Sequence, residues 1–229
     1  MAETKLTVQL FLRSFIWFAL MAVALFWAAG DWTWPQGWAF IAILVTGSIA
    51  FSAYMMKRDP ALLASRLQVT QEGQAAWDRV FLVVFIGVWF LWLAFAGFDA
   101  VRFRWSQMPV TLNVVGGVLI AVGFLATMRV FLENSFAAPV VRVQEERHQR
   151  VITTGPYAIV RHPMYASAIP YLVGIPLLLG STWALTVVPL FVIGVAIRSV
   201  FEERLLAREL AGYAEYRQKV RWRIVPYVW

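Results

Sequence analysis

No cysteine occurs among the 229 residues, and histidine occurs only as His148 and His162. The first absence excludes disulfides, thiolate metal sites and a cysteine nucleophile. The second leaves too few imidazoles for a histidine-based metal cluster, so no metal is expected. Charge is scarce too, at 14% of residues, where a soluble domain carries about a quarter. No internal repeat of solenoid or inverted-transporter type is visible, and no low-complexity segment. What is abundant is apolar. Hydrophobic residues make up 61%, with twelve Trp and seventeen Phe, and the mean hydropathy is +0.67. Such a composition excludes a disordered chain, a collagen-like chain and an ordinary cytosolic enzyme.

The apolar residues fall in runs. About 20 apolar residues in a helix cross a bilayer core about 30 Å thick, and four runs reach that length, at 10–29, 35–56, 80–98 and 112–132. Two shorter runs, 164–181 and 184–201, are separated only by Thr182 and Trp183. So short a connection predicts an antiparallel helical hairpin. Pro170, Gly174, Pro176 and Gly180 in one arm, and Pro189 and Gly194 in the other, predict kinks that either shape a cavity or are absorbed by packing. The first run is too long for a signal peptide and lacks a small-residue cleavage site. The Trp32, Trp34 and Trp38 cluster after it reads as an interfacial belt. The expected fold is all-α, a polytopic membrane helical bundle of about six spans.

Positive charge sets the orientation. With the N-terminus placed in the cytoplasm, every one of the 20 Lys and Arg except Arg102 and Arg104 falls in a cytoplasmic segment or span end, from Lys5 and Arg13 to Arg221 and Arg223. That asymmetry predicts both termini in the cytoplasm. It also accounts for the net charge of +7 without a nucleic-acid partner. A multi-pass protein of a bacterial-type inner membrane or its equivalent is expected.

Polar residues divide the chain. Residues 1–111 read as a transmembrane scaffold of three spans with a cytoplasmic loop at 57–79, where Ala61, Leu62, Ala64 and Leu67 suggest a short interfacial helix. No motif in 1–111 is assignable. Residues 112–229 read as the catalytic region. Glu133, Asn134 and Ser135 stand where the fourth span ends. Valines near alternate positions from Val140 to Val151 predict an extended strand or short hairpin turning at Glu145, Glu146, Arg147 and His148. Gly155-Pro156 and His162-Pro163 then bracket a short segment before the fifth span. Pro163 is suited to a first helical position, and the free N–H groups and partial positive charge of that helix end suit a carboxylate or phosphate. At the exit of the last span, adjacent Glu202 and Glu203 point about 100° apart on a helix. One is expected to line a cavity and the other to meet an Arg or water. Arg198 is placed for an i,i+4 pair with Glu202. An aromatic and basic tail, 212–229, either lies on anionic lipid or folds back over a site. Each element alone is equally explained by ordinary interfacial residues and ion pairs.

Taken in order, these elements resemble one family. Asn134, Gly155-Pro156-Tyr157, Arg161-His162-Pro163-x-Tyr165, the hairpin, Glu202-Glu203-x-x-Leu206, Tyr213-x-x-Tyr216 and Arg223-x-x-Pro226 are similar to the integral-membrane methyltransferases of the isoprenylcysteine carboxyl methyltransferase and phospholipid N-methyltransferase group. The resemblance covers about 113–229. It implies an S-adenosylmethionine pocket made by the C-terminal helices and completed by the cytoplasmic tail. It implies cofactor contacts from Tyr157, Arg161, His162, Pro163, Tyr165, Glu202 and Glu203, and catalytic or substrate-orienting roles for Arg198, Glu203 and Arg223. The implied reaction is methyl transfer to a lipophilic small molecule or lipidated acceptor at the cytoplasmic face, first of all carboxyl O-methylation of the isoprenylcysteine type. Phospholipid amine N-methylation is the alternative, with Glu203 or His162 as candidate bases. Ser167 stands where many members carry glycine, which predicts a pocket narrowed or shifted but not lost. Sterol reductases that bind NADPH share the Arg161-His162-Pro163-x-Tyr165 pattern, though they are usually larger. A transporter or scaffold fits less well, because the mid-span regions are almost free of charge.

Overall fold

In a computed structural model, residues 2–67 and 71–229 are described, with side chains from Leu6 onward. The Lys5 side chain and residues 68–70 of the predicted 57–79 loop lie outside the described residues. Five helices are long and apolar enough to span a membrane: α1 (Ala2–Ala29), α2 (Pro35–Arg58), α4 (Ala76–Gly97, continued by a π-helical turn at Phe98–Arg102), α5 (Val110–Glu133) and α7 (Thr182–Glu209). The sixth, α6 (Pro163–Leu179), has 17 residues, which at 1.5 Å per residue is a few ångströms short of a bilayer core. Two short helices lie outside the spans, α3 (Pro60–Arg66) and α8 (Tyr213–Lys219). The predicted runs are present, and the hairpin turns at Gly180 and Ser181, because Thr182 and Trp183 already belong to the first turn of α7.

The chain punctuates its own helices. Pro35, Pro60 and Pro163 each open a helix, where the missing N–H costs nothing. Asp59 caps α3 by accepting from Leu62 N at 2.9 Å, and Gly180, left-handed at φ +81°, ends α6. Both arms of the hairpin run through Pro170, Pro176 and Pro189 without interruption. None of these prolines lines the cavity described below, so the expected shaping of a cavity by them is not what the structure has.

Packing inside the bundle relies on small residues and large rings. Helices α5 and α6 approach so closely that a Cβ on Gly116 would lie 2.6 Å from Gly174 O and 2.2 Å from Leu178 N. Close backbone approach of this kind replaces the hydrophobic drive that lipid cannot supply. Around it sits a core of Phe26, Phe40, Leu93, Ile120, Ile175 and Leu179, all nearly inaccessible. Trp92 donates from Nε1 to Ala184 O at 2.8 Å. On the outside, Phe11, Val83, Leu91 and Leu125 are 65–72% exposed. Such residues on every long helix are the surface of a protein solvated by lipid. At the tryptophan-rich end, buried Asp99 in the π turn accepts from Ser106 Oγ (2.7 Å), Ser181 Oγ (2.5 Å) and Trp183 N (3.2 Å). It ties α4 to the hairpin turn.

The 140–152 segment is irregular, and no β-strand occurs among the described residues. The expected turn exists as a 3₁₀ turn at Glu145–Arg147, with His148 left-handed. A β-ladder does not form because its donors bond elsewhere. Val141 N donates to Asp78 Oδ2 at 2.8 Å, and Gln144 N to Gln149 Oε1 at 2.8 Å. The C-terminal tail folds back, as one of the two expected courses had it. Arg161 N donates to Trp222 O (2.9 Å) and His162 N to Arg223 O (2.8 Å), beside a single parallel bridge from Val160 to Trp222.

Candidate active site

Where α5, α6, α7 and the folded tail meet, they leave a cleft of about 100 Å³ that is open at one side. One wall is the chain after α5, from Asn134 to Arg142. The floor is Tyr157 and Arg161–Tyr165, at the start of α6. Glu202, Leu206 and Leu210 of α7 form the opposite wall, and Tyr213 and Tyr216 of α8 close one end.

The two adjacent glutamates face different surroundings. Glu203, with 1% of its side chain exposed, is held by Arg161 Nε (2.6 Å), Arg223 Nη2 (3.0 Å) and His162 Nε2 (3.1 Å). Glu202 lines the cleft, is 24% exposed, and accepts from Tyr165 Oη at 2.6 Å. His162 lies between the carboxylates, with Nδ1 3.8 Å from Glu202, and stacks on the Tyr165 ring at 5.4 Å. Arg161 borders the cleft, but Nη1 donates to Val220 O and Arg221 O at 2.8 Å each, so that most of its donors hold the tail and Glu203. Geometry thus gives it the work of a clamp, where a ligand-binding arginine at the helix end was expected.

Of the predicted residues, Tyr157, Arg161, His162, Pro163, Tyr165 and Glu202 line the cleft. Arg198, Glu203 and Arg223 stand behind its wall. Arg198 makes no direct pair with Glu202. It donates to Asp78 Oδ1 (2.8 Å), Pro139 O (2.7 Å) and Tyr165 Oη (3.0 Å), and the tyrosine hydroxyl bridges it to Glu202. Ser167 bonds Met164 O (2.8 Å) and Thr127 Oγ1 (2.7 Å) against α5. It does not border the cleft, because its side chain points to the neighbouring helix. Asp78, fully buried, is the residue that reading 1–111 as motif-free missed. It also accepts from Gln74 Nε2 at 3.0 Å. The available signal was a carboxylate in the first turn of a span whose one other charge is the adjacent Arg79; such a carboxylate needs a partner.

Three tyrosines set the polarity of the cleft. Burial pushes the Tyr157 hydroxyl up to about 12, a rise partly offset by the hydrogen bond from Asn134 Nδ2 at 2.7 Å. Burial also raises Tyr213 and Tyr216 well above the ordinary tyrosine value. All three are therefore neutral donors at physiological pH. Tyr216 donates to Tyr157 O at 2.8 Å. The Tyr213 hydroxyl is buried with no hydrogen-bond partner among the described residues. A buried orphan hydroxyl is costly, and at a cleft wall it fits a polar ligand.

A helical bundle with long lipid-facing spans and a polar cleft at a span end defines a multi-pass membrane protein. Residues 111–211 match the family model described as phospholipid methyltransferase. The fold is that of the solved eukaryotic intramembrane Ras methyltransferase ICMT (isoprenylcysteine carboxyl methyltransferase). That likeness has a TM-score of 0.53 at 16% identity and covers 93% of this chain and 74% of that one. No curated protein matches the sequence. The resemblance read from the motifs is borne out by the family model over residues 111–211 and, for the fold, by the solved methyltransferase.

Proposed function

We propose that the cleft binds S-adenosylmethionine and serves methyl transfer to a lipophilic acceptor, with carboxyl O-methylation of the isoprenylcysteine type as the leading reaction. The observation that carries this reading is the split of the glutamate pair: Glu203 locks helix, motif and tail together, and Glu202 is left to face the cleft. Methyltransferases of this group generally use that cofactor. The donor set fits it. Glu202 suits a ribose diol or an ammonium group, the Tyr213 hydroxyl is an orphan donor at the wall, and the aromatic face of Tyr157 suits a sulfonium cation. A nucleoside-sized ligand is larger than the cleft's volume of about 100 Å³ and would extend through its open side.

When bound, the cofactor supplies an electrophilic methyl group. The protein's task is positioning, since a nucleophile must sit about 3–3.5 Å from that methyl and in line with the bond that breaks. A carboxylate acceptor needs no general base. Arg198 and Arg223 then act as positioning residues, Arg198 by fixing Tyr165 and hence Glu202, and Arg223 by fixing Glu203. The family model's description keeps amine methylation as the second reading. There a proton must be taken up, and Glu202 with His162 beside it stands at the cleft to receive it. We place the cleft and both termini in the cytoplasm on the asymmetry of positive charge. Residues 112–229 are the catalytic region, supported by 1–111 through Asp78.

The test is calorimetric binding to detergent-purified protein, with NADPH in parallel. Saturable S-adenosylmethionine binding, at least tenfold weaker in Glu202→Gln, supports the reading. Binding of NADPH alone overturns it.

A further inference from the structure

A second cavity, about 930 Å³, opens sideways within the bundle. It lies in the first 111 residues for the most part, outside the family match. Helix α1 supplies Arg13, Trp17 and Met21, α2 Leu44 and Ser48, α4 Leu82, Ile86 and Trp89, with Phe124 and Tyr171 behind. The volume is that of a ligand site for a molecule larger than a few waters. Its walls are mostly apolar, with Ser48 and the Trp89 indole among them, and one end carries two cations: Arg13 donates to Leu67 O and Arg66 Nη1 to Ala137 O at 2.8 Å. No Asp or Glu lines it, and neither arginine has a carboxylate partner among the described residues. Burial and the positive charge of Arg198 pull the Arg66 guanidinium down to about 10. Arg13 is exposed and Arg66 half-buried, so the two guanidinium groups give the cavity a positive end with no anion of its own. Trp89, 9% exposed, carries a buried Nε1 with no partner in the same wall.

The two cavities are back to back. Ala137, Ala138, Val140 and Val141 line the cleft, and Pro139 lines the second cavity. The partition is held by Arg66 on Ala137 O, Arg198 on Pro139 O and Asp78 on Val141 N. A group bound at Arg66 therefore lies one short peptide segment from the cleft.

We infer that the cavity takes a bilayer amphiphile with a compact anionic head, a carboxylate or phosphate monoester, held between Arg13 and Arg66, and a single apolar chain running along α1 toward Met21 and Trp89. Charge complementarity selects the head. Arg13 and Met21 are eight helical steps apart, about 12 Å, and a longer chain emerges at the open side into lipid. That this amphiphile is the methyl acceptor rests on the function proposed above, whereas its binding does not.

Chain-brominated stearic acid tests it. Bromine on the chain quenches the fluorescence of tryptophans it touches, here Trp17 and Trp89. The full-length protein in detergent is titrated with the acid, its methyl ester, a chain-brominated alkyl phosphate and a chain-brominated alkyl trimethylammonium. The expected result is saturable quenching by acid or phosphate, at least tenfold weaker for ester and ammonium, with smaller amplitude in Trp89→Phe. Acid preferred to phosphate assigns a carboxylate lipid, and the reverse a phospholipid. Arg13→Gln and Arg66→Gln are expected to weaken anion binding at least tenfold, and Arg66→Lys by less. Equal affinity for all four heads overturns the inference, as does unchanged acid binding in folded Arg13→Gln. Should Arg66→Gln not fold, the head-group series and Arg13→Gln decide the matter. Acid binding in a protein that binds no S-adenosylmethionine retains this cavity and refutes the catalytic reading.

Discussion

Replacing Asp78 by alanine isolates the contribution of the first half of the chain to the site. The carboxylate is fully buried, and its partner Arg198 has 7% of its side chain exposed, at 2.8 Å. Removing it strands the Arg198 charge in the bundle and takes the acceptor from Val141 N and Gln74 Nε2. Breaking one side of a buried pair costs about 3–5 kcal/mol. For a domain of this size each kcal/mol moves the melting temperature by about 2–4 °C, so the expected loss is about 6–20 °C. Glu202→Gln is the internal control. It perturbs one hydrogen bond, from Tyr165, on a side chain open to the cleft, which is worth about 0.5–1.5 kcal/mol. The assay is thermal unfolding of the detergent-purified variants by intrinsic fluorescence, with Asp78→Glu as the charge-retaining comparison. If Asp78→Ala melts within about 3 °C of the parent, or no lower than Glu202→Gln, the claim that Asp78 anchors Arg198 fails.

Other outcomes follow from the same contacts. Glu203→Gln weakens the anchorage of Arg161, Arg223 and His162, so it is expected to destabilise by about 3–5 kcal/mol and to loosen the tail, read as faster protease cleavage after residue 212. Tyr213→Phe removes an orphan hydroxyl and is expected to leave melting unchanged or slightly raised while weakening S-adenosylmethionine binding in calorimetry. Equal affinity in parent and variant would remove Tyr213 from the site. Gly116→Ala sets a methyl against Leu178 N and Gly174 O and should prevent recovery of folded protein. Gly117→Ala, whose nearest contacts are 3.9 Å away, should purify normally in size-exclusion chromatography. The tyrosines give a pH dependence. The folded-state value of Tyr157 is raised to about 12, so the unfolded chain ionises first as pH climbs past about 10. Its stabilising contribution is thus full below about pH 10 and is lost on rising through about 12. A phenolate absorbance titration should show tyrosines that ionise late, and normal ionisation of all seven would contradict their burial.

Much of this protein is determined by sequence alone, because lipid imposes hard rules. A span must be long and apolar, so the runs at 10–29, 35–56, 80–98 and 112–132 could be little else. So short a break between the runs 164–181 and 184–201 leaves no room for anything but a hairpin, though the turn itself falls at Gly180 and Ser181. Adjacent positions on a helix diverge, so Glu202 and Glu203 had to meet different surroundings. Tertiary structure decided what pattern cannot express, namely which long-range partner each polar group finds. Asp78 lies 120 residues from Arg198 in sequence, and no local periodicity links them. Alternating valines predicted a strand at 140–152, yet the side chains of distant Asp78 and nearby Gln149 take the backbone donors of Val141 and Gln144. Arg161 was legible as polar and near a helix end, but only the returning tail revealed that its donors are occupied. Likewise the arginines at Arg13 and Arg66, ordinary interfacial charges by position, become a pair facing one cavity only when α1 and α3 pack together.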